Sequence, residues 1–291
     1  MDYTIANEKL TVSIRDLGAE LCSIRSADGT EYLWQGDPAF WRGQSPNLFP
    51  YIGRLTDGKY TFAGETYEMK IHGIAKYLVF EAANQKEDSI DFILRSNEET
   101  KKQYPFDFVF TIRYALVEKK LQIEYLVQNL SGEPMFFGVG GHTGFNVPME
   151  EGLSFEDYCV EFSKTAKPTK VVMTEDVHVS GVREDYPLEE GTKIPLHHDL
   201  FDHDAVVLEN MDHTMTIRSA SGKRAVRVSI PAFHYVGFWH AVKKEAPYVC
   251  IEPWSSLPSR SGVVEDFAQQ GDLICLEGNA TYRNPWTIEI L

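Results

Sequence analysis

The sequence predicts an all-β fold, a large antiparallel β-sandwich, and three observations lead there. Short segments of alternating apolar and polar residues recur along the chain, turns rich in Gly, Asp and Ser separate them, and no long stretch carries the period of an amphipathic helix. Composition agrees: 17 Phe, 14 Tyr and 5 Trp bring the aromatic content of this 291-residue chain to 12%. Aromatic residues favour pleated surfaces and ligand-lining walls. No repeat, Pro-rich linker or low-complexity tract divides the chain, so residues 1–291 are expected to form a single domain.

The elements follow in order. "LTVSIRDL", "SIDFILRS", "FDFVFTIRYALV", "KLQIEYLVQN", "HTMTIRSA", "AVRVSIP" and "YVCIEPW" each read as strands. In "KLQIEYLVQN", Leu121, Ile123, Tyr125 and Val127 share one face and Gln122, Glu124 and Gln128 the other, the pattern of a half-buried antiparallel strand. "SADGTE", "TDGKYTFAGE", "QNLSGEP" and "SASGKR" supply the turns. Only residues 98–107 and 263–272 look helical, and both are short. Strand following strand without helices between them disfavours nucleotide-binding α/β folds and fits two curved sheets whose concave face holds a ligand.

Charge and motifs exclude several function classes. A formal net charge of -15, with no local run of Lys or Arg, repels phosphate backbones and anionic membranes, so neither nucleic acid nor membrane is an expected partner. No apolar stretch approaches a membrane span and the N-terminus has no signal-like apolar region, which points to a cytoplasmic protein. Cys22, Cys159, Cys250 and Cys275 are widely spaced and read as reduced core residues. His197, His198 and His203 lie near one another without the spacing of a ligand set, so no metal is expected. P-loop, GxGxxG and GxSxG signatures are missing, so no cofactor is expected either.

Four stretches could carry chemistry. In "PMFFGVGGHTGFNVP", alternation puts Phe136, Gly138, Gly140 and His142 on one face. Glycine weakens a strand interior, so these glycines point to close approach of a ligand or of another backbone, or to a bulge beside a core histidine. The ligand reading makes Gly138 and Gly140 the floor of a pocket under His142. In "APYVCIEPW", Tyr248, Cys250 and Glu252 share a face. A carboxylate ending an apolar strand is either paired or functional, and Trp254 with Trp239 could form a platform for a sugar's apolar face. Arg54 in "SPNLFPYIGRLTDGKY" and His72 in "MKIHGIAKY" can hold hydroxyls, while "DLFDHDAVVLEN" places Asp202, His203 and Asp204 before a strand.

Taken together, "NLFPYIGRL", "HGIAK", "GGHTGFNVP", "LFDHDAVVLEN" and "PYVCIEPW", in this order, resemble the aldose 1-epimerase (galactose mutarotase-like) family, and within it the LacX-type branch. The resemblance implies a galactose mutarotase-like supersandwich that interconverts the α and β anomers of a hexose without a cofactor. It implies that Glu252 is the general base on the C1 hydroxyl, that His142 protonates the ring oxygen, and that Arg54, His72 and an aspartate hold hydroxyls. Register with "LF..DA" selects Asp204 for that aspartate, and a direct match of "DH" would select Asp202; Asp204 is taken. Trp254 is assigned to substrate binding as well.

Hemiacetal opening needs one proton removed while another is delivered, and each positioned acid or base contributes roughly 10²- to 10⁴-fold. With ordinary pKa values of about 4.3 and 6.5, a Glu and a His start as an ionised base and a partly charged acid. "GRLTDGKY", "HGIAK" and "HTGFNVP" depart from the "GR..NR", "HGG" and "H.YFNL" elements of better characterised mutarotases, so the hydroxyl-binding shell is its own. The expected partner is therefore a small sugar, a hexose or related aldose, with the protein itself a monomer or homodimer. Two other readings stand beside this one. A hexose-6-phosphate mutarotase would draw cations from Arg42, Lys76 or Arg260, and a non-catalytic carbohydrate-binding protein would keep the cleft without turnover. A glycosidase fits less well, because Glu252 has no carboxylate partner at a defined position.

Overall fold

The computed structural model describes residues 1–291. Two antiparallel sheets form the body. The larger runs Lys193–Pro195, Tyr158–Phe162, Thr214–Ser219, Ala225–Ser229, Thr281–Ile290, Lys120–Asn129, Phe108–Val117, Ser89–Arg95 and Glu81–Ala83. The other is built on Val179–Asp185, Thr169–Met173, Val206–Glu209, Tyr235–Trp239, Tyr248–Trp254, Gly140–Gly141 and Asn47–Leu48, with Thr143–Asn146 also pairing to Tyr248–Trp254. The strand expected at residues 120–129 spans Lys120–Asn129, and its alternation holds, with Leu121, Ile123, Tyr125 and Val127 buried. No helix is long and apolar enough to cross a membrane.

Side-chain parity sorts the second sheet into two faces. Val249, Ile251, Phe145, Val236 and Phe238 join the main core against the larger sheet, where Tyr125 and Trp286 also lie. Hydrogen bonds tie the layers as well: Asn47 Nδ2 donates to Tyr114 Oη at 3.1 Å, and Tyr125 Oη donates to Asn47 Oδ1 at 2.8 Å. The opposite face, with Cys250, Glu252 and Trp254, is covered by loops instead, so all seven residues of Tyr248–Trp254 are buried.

Several expectations need correction. The helix over 98–107 reduces to Glu98–Lys101, held by a capping box on Asn97 and ended before Pro105. Residues 263–272 are not helical: Glu265–Asp266 pairs in parallel with Lys59–Phe62, because the Glu265 carboxylate is buried against the Arg260 guanidinium and backbone N–H. Of the four free cysteines only Cys250 is buried, while Cys275 is exposed. Alternation identifies a strand more readily than it tells which face will be covered.

Candidate functional site

One register joins the opening histidine stretch to the glutamate strand. Gly140 pairs with Trp254 and Thr143 with Ile251, which sets His142 directly across from Glu252. Directly opposed residues on an antiparallel pair point to the same side with Cβ atoms about 5 Å apart. His142 Nε2 accordingly lies 3.4 Å from Glu252 Oε1, with the two residues only 8% and 1% exposed. On the other flank of Glu252 the pairing residue is Gly237, where a Cβ would touch the glutamate side chain at 3.4 Å.

The cleft around this pair holds about 280 Å³ and is lined by Trp41, Arg54, Ile71, His72, Lys76, Val177, Asp204, Trp239 and Trp254, among others. That volume is at the small end of ligand pockets, which run from about 300 to 1,000 Å³. Every residue singled out from the sequence for catalysis or binding, Glu252, His142, Arg54, His72, Asp204 and Trp254, lies on its wall. Asp202, the other aspartate candidate, does not line it, and neither do Arg42 and Arg260. Arg260 is held in a bidentate pair by Glu265.

Gly138 and Gly140 are not the floor of this cleft. A Cβ on Gly138 would stand 2.1 Å from Ser256 Oγ, and one on Gly140 2.5 Å from the Pro253 carbonyl and 3.3 Å from the Trp254 ring. The glycines let the neighbouring strand and the Trp254 indole close onto this one, so bulky groups fill the space expected for sugar. Trp41 was the residue hidden from sequence reading. It comes from the loop "PAFWRGQ", stacks on the His142 ring at 4.8 Å, and meets Trp239 edge-on, which in turn lies edge-on to His142. Two aromatics beside a Pro and a Gly, outside any alternating run, were the available signal.

The walls are held by backbone geometry. His72 adopts φ 67°, its N–H donates to the Gly53 carbonyl at 2.9 Å, and its Nδ1 accepts from Gly53 N–H at 3.1 Å. Its proton therefore sits on Nε2, free to donate. Gly73, at φ 79°, is required next to it, since a Cβ would fall 2.2 Å from the Phe49 carbonyl oxygen. Asp204 at φ 76° and Val177 at φ 61° are also left-handed. Three non-glycine residues in this costly conformation on one small cleft fit a site whose geometry is held by its surroundings.

Burial sets the electrostatics. It pushes the Glu252 carboxyl well above its ordinary range, helped by Asp204; the Trp254 indole N–H, nearby but outside hydrogen-bonding geometry, and the Lys76 ammonium pull it back. Burial, then Lys76, lowers His142 to about 3, and burial also lowers His72, with His142 adding to the effect. Burial thus pushes the pair away from the ionised Glu and partly charged His expected from reference values, toward a protonated carboxyl and a neutral imidazole. His142 Nδ1 and Trp254 Nε1 are buried without a partner, each an arrangement that costs about 1–3 kcal/mol unless a ligand meets it. One nitrogen or oxygen from each of His142, Glu252 and Cys250 Sγ lie within 4.8 Å of one another. Their grouping follows from the sheet, since Cys250 and Glu252 are two residues apart on the strand facing His142, and burial holds the thiol protonated.

Comparison with known proteins agrees with this geometry. The chain is 31% identical over the full length of both chains to Protein LacX, plasmid, of Lactococcus lactis subsp. lactis. It superposes on a galactose mutarotase related enzyme from Lactobacillus acidophilus with a TM-score of 0.96 at 34% identity, covering 100% of this chain and 97% of that one. A galactose mutarotase-like protein from Lactobacillus casei gives a TM-score of 0.95 at 30% identity, with both chains covered in full. The profile of the family described as Aldose 1-epimerase matches residues 1–285, and with a full-length relative above 30% identity beside it, the chain belongs to the aldose 1-epimerase family.

Proposed function

We propose that the protein is an aldose 1-epimerase that exchanges the α and β anomers of an unphosphorylated aldohexose, with Glu252 as base and His142 as acid. The observation that carries this reading is the buried pair 3.4 Å apart across two strands, in a cleft the size of one sugar ring. As carboxylate and imidazolium, Glu252 takes the proton from O1 while His142 gives one to O5; the C1–O5 bond breaks and C1=O forms. The pair left behind, a carboxylic acid and a neutral imidazole, is the protonation state burial favours in the resting cleft. Rotation about C1–C2 followed by the reverse transfer closes the other anomer, so the pair keeps one proton throughout and no external proton donor is needed.

The remaining wall residues act on hydroxyls and on charge. His72 Nε2–H donates, the Asp204 carboxylate accepts, Arg54 donates from the rim, and Trp254 faces the ring. Lys76 favours the carboxylate form of Glu252 without an ion pair of its own within 4 Å. Of the cations considered for a 6-phosphate, only Lys76 lines the cleft, which favours the unphosphorylated sugar. The test is anomer exchange followed by polarimetry or NMR for a panel of aldohexoses and their 6-phosphates, with calorimetry in parallel. Exchange slowed about 10²- to 10⁴-fold in Glu252→Gln is expected. Sugar binding without exchange by the native protein would make it a binding protein instead.

A further inference from the structure

A pair of histidines takes over where two strands part beside the cleft. The ladder between Val206–Glu209 and Tyr235–Trp239 ends with Val206 opposite Phe238. Carried two residues further, the same register would set Asp204 against His240. Asp204 instead leaves the ladder at φ 76° and lines the cleft, while His240 is fully buried and does not line it. The connection is remade through side chains: His240 Nε2 lies 3.1 Å from Nδ1 of His198, the first residue of the helical turn His198–Phe201 that leads to Asp204.

Both ring nitrogens of His240 are committed. Its Nδ1 stands 2.9 Å from the Ala241 carbonyl, which can only accept, so the proton sits on Nδ1. Burial, the largest influence on this ring, lowers its pKa and favours the neutral form. Nε2 is then a lone pair, and His198 Nδ1–H is the donor. The far end of the turn meets the same imidazole, since buried Phe201 packs on it at 4.4 Å, while His198 stacks on Phe155 at 4.2 Å. Next in the chain, the Asp204 N–H donates to the Phe201 carbonyl at 3.1 Å, and the Asp204 carboxylate accepts from the Ala205 N–H at 2.8 Å. A non-glycine residue with positive φ persists where its surroundings hold it, and here both ends of the preceding turn rest on one ring.

Building on the proposed reaction, we propose that His240 and His198 are positioning residues for the substrate: their bond fixes the turn that aims the Asp204 carboxylate at a sugar hydroxyl. Neither touches the sugar. A core histidine that only stabilised the fold would weaken every wall of the cleft alike. This pair acts through Asp204, so removing it matters only while position 204 has a carboxylate to offer.

The experiment is a double-mutant cycle on kcat/KM for anomer exchange of an aldohexose. His198→Phe, at a half-buried position, keeps a ring on Phe155 and removes the donor; His240→Phe removes the same bond from the other side. Each should lower kcat/KM about fivefold in the native background, the scale of one lost hydrogen bond. Beside Asp204→Gly, which tolerates the left-handed backbone and has no carboxylate, the loss should be less than about twofold. His198→Asn, whose amide nitrogen stands about where Nδ1 stood and still donates, should stay within about twofold of native. No loss in either Phe variant, equal losses with and without the Asp204 side chain, or a loss in His198→Asn as large as in His198→Phe overturns the proposal. If no aldose is exchanged, the reaction assignment fails by itself, and the positioning is read without sugar from hydrogen exchange of the Ala205 amide. Protection about fivefold lower in both Phe variants supports it, and unchanged protection refutes it.

Discussion

Removing either member of the buried pair tests the chemistry most directly, because the structure makes their effects inseparable. Glu252→Gln and His142→Asn keep shape and hydrogen-bonding capacity but remove proton transfer. Each is expected to cost about 10²- to 10⁴-fold in kcat, or roughly 3–5 kcal/mol of barrier at 1.36 kcal/mol per tenfold. Independent contributions would multiply in the double variant to roughly 10⁴- to 10⁸-fold. The groups lie 3.4 Å apart on opposed strand positions, and in the proposed mechanism they hold one proton between them, one taking a proton from the sugar as the other gives one, so losing one would leave the other without a function. The double variant is therefore expected to be about as slow as the slower single variant. Exchange NMR between anomer resonances at saturating sugar gives kcat, and calorimetry on the same samples shows whether the ring still binds. A single variant within threefold of the native rate, or a double loss equal to the product of the singles, would falsify the shared-proton mechanism.

Other expectations follow from the same contacts. Lys76 lowers the pKa of both Glu252 and His142, so Lys76→Met should move both limbs of the kcat/KM pH profile to higher pH, whereas unchanged limbs would show that the ammonium is screened from the pair. The folded-state pKa of Glu252 is raised, so the native state holds its proton more tightly than the unfolded chain and loses stability as pH climbs above the ordinary carboxyl value of 4.5. Glu252→Gln should accordingly be more stable than the native protein at pH 7, on the order of 1 kcal/mol by urea midpoint, with the gain vanishing below pH about 4. Gly73→Ala forces a Cβ to 2.2 Å from the Phe49 carbonyl at φ 79°, and a loss of more than about 2 kcal/mol with weakened sugar binding through His72 is expected in thermal melts and calorimetry. Although His142, Cys250 and Glu252 form a donor group, exhaustive chelation should leave anomer exchange unchanged; a loss restored by one added metal would make that trio a metal centre.

Much of the architecture was legible because strand alternation is a local property. Lys120–Asn129 and Tyr248–Trp254 were readable residue by residue, since each side chain's face follows from its position along the backbone. The six candidate site residues were legible too, though only as separate motifs. Trp41 was not, because a loop aromatic has no period, and its stacking on His142 depends on where an irregular segment folds back. The helix expected at 263–272 failed for a similar reason: a distant pairing with Lys59–Phe62 and the buried Glu265–Arg260 contact override local propensity.

By itself the sequence determined the all-β class, the strand faces and a short list of candidate polar groups that the fold gathers on one cleft. Tertiary structure decided the rest, because strand partnering, burial and charge proximity are long-range. Partnering set His142 opposite Glu252 and turned Gly138 and Gly140 into packing sites for Ser256, Pro253 and Trp254 rather than a pocket floor. Burial shifted both members of the pair toward their neutral forms, and the path of the chain left Lys76 beside it while Arg260 went to Glu265. A residue's face can be read from its neighbours in the chain, but its pKa and its partner depend on what the fold brings against it.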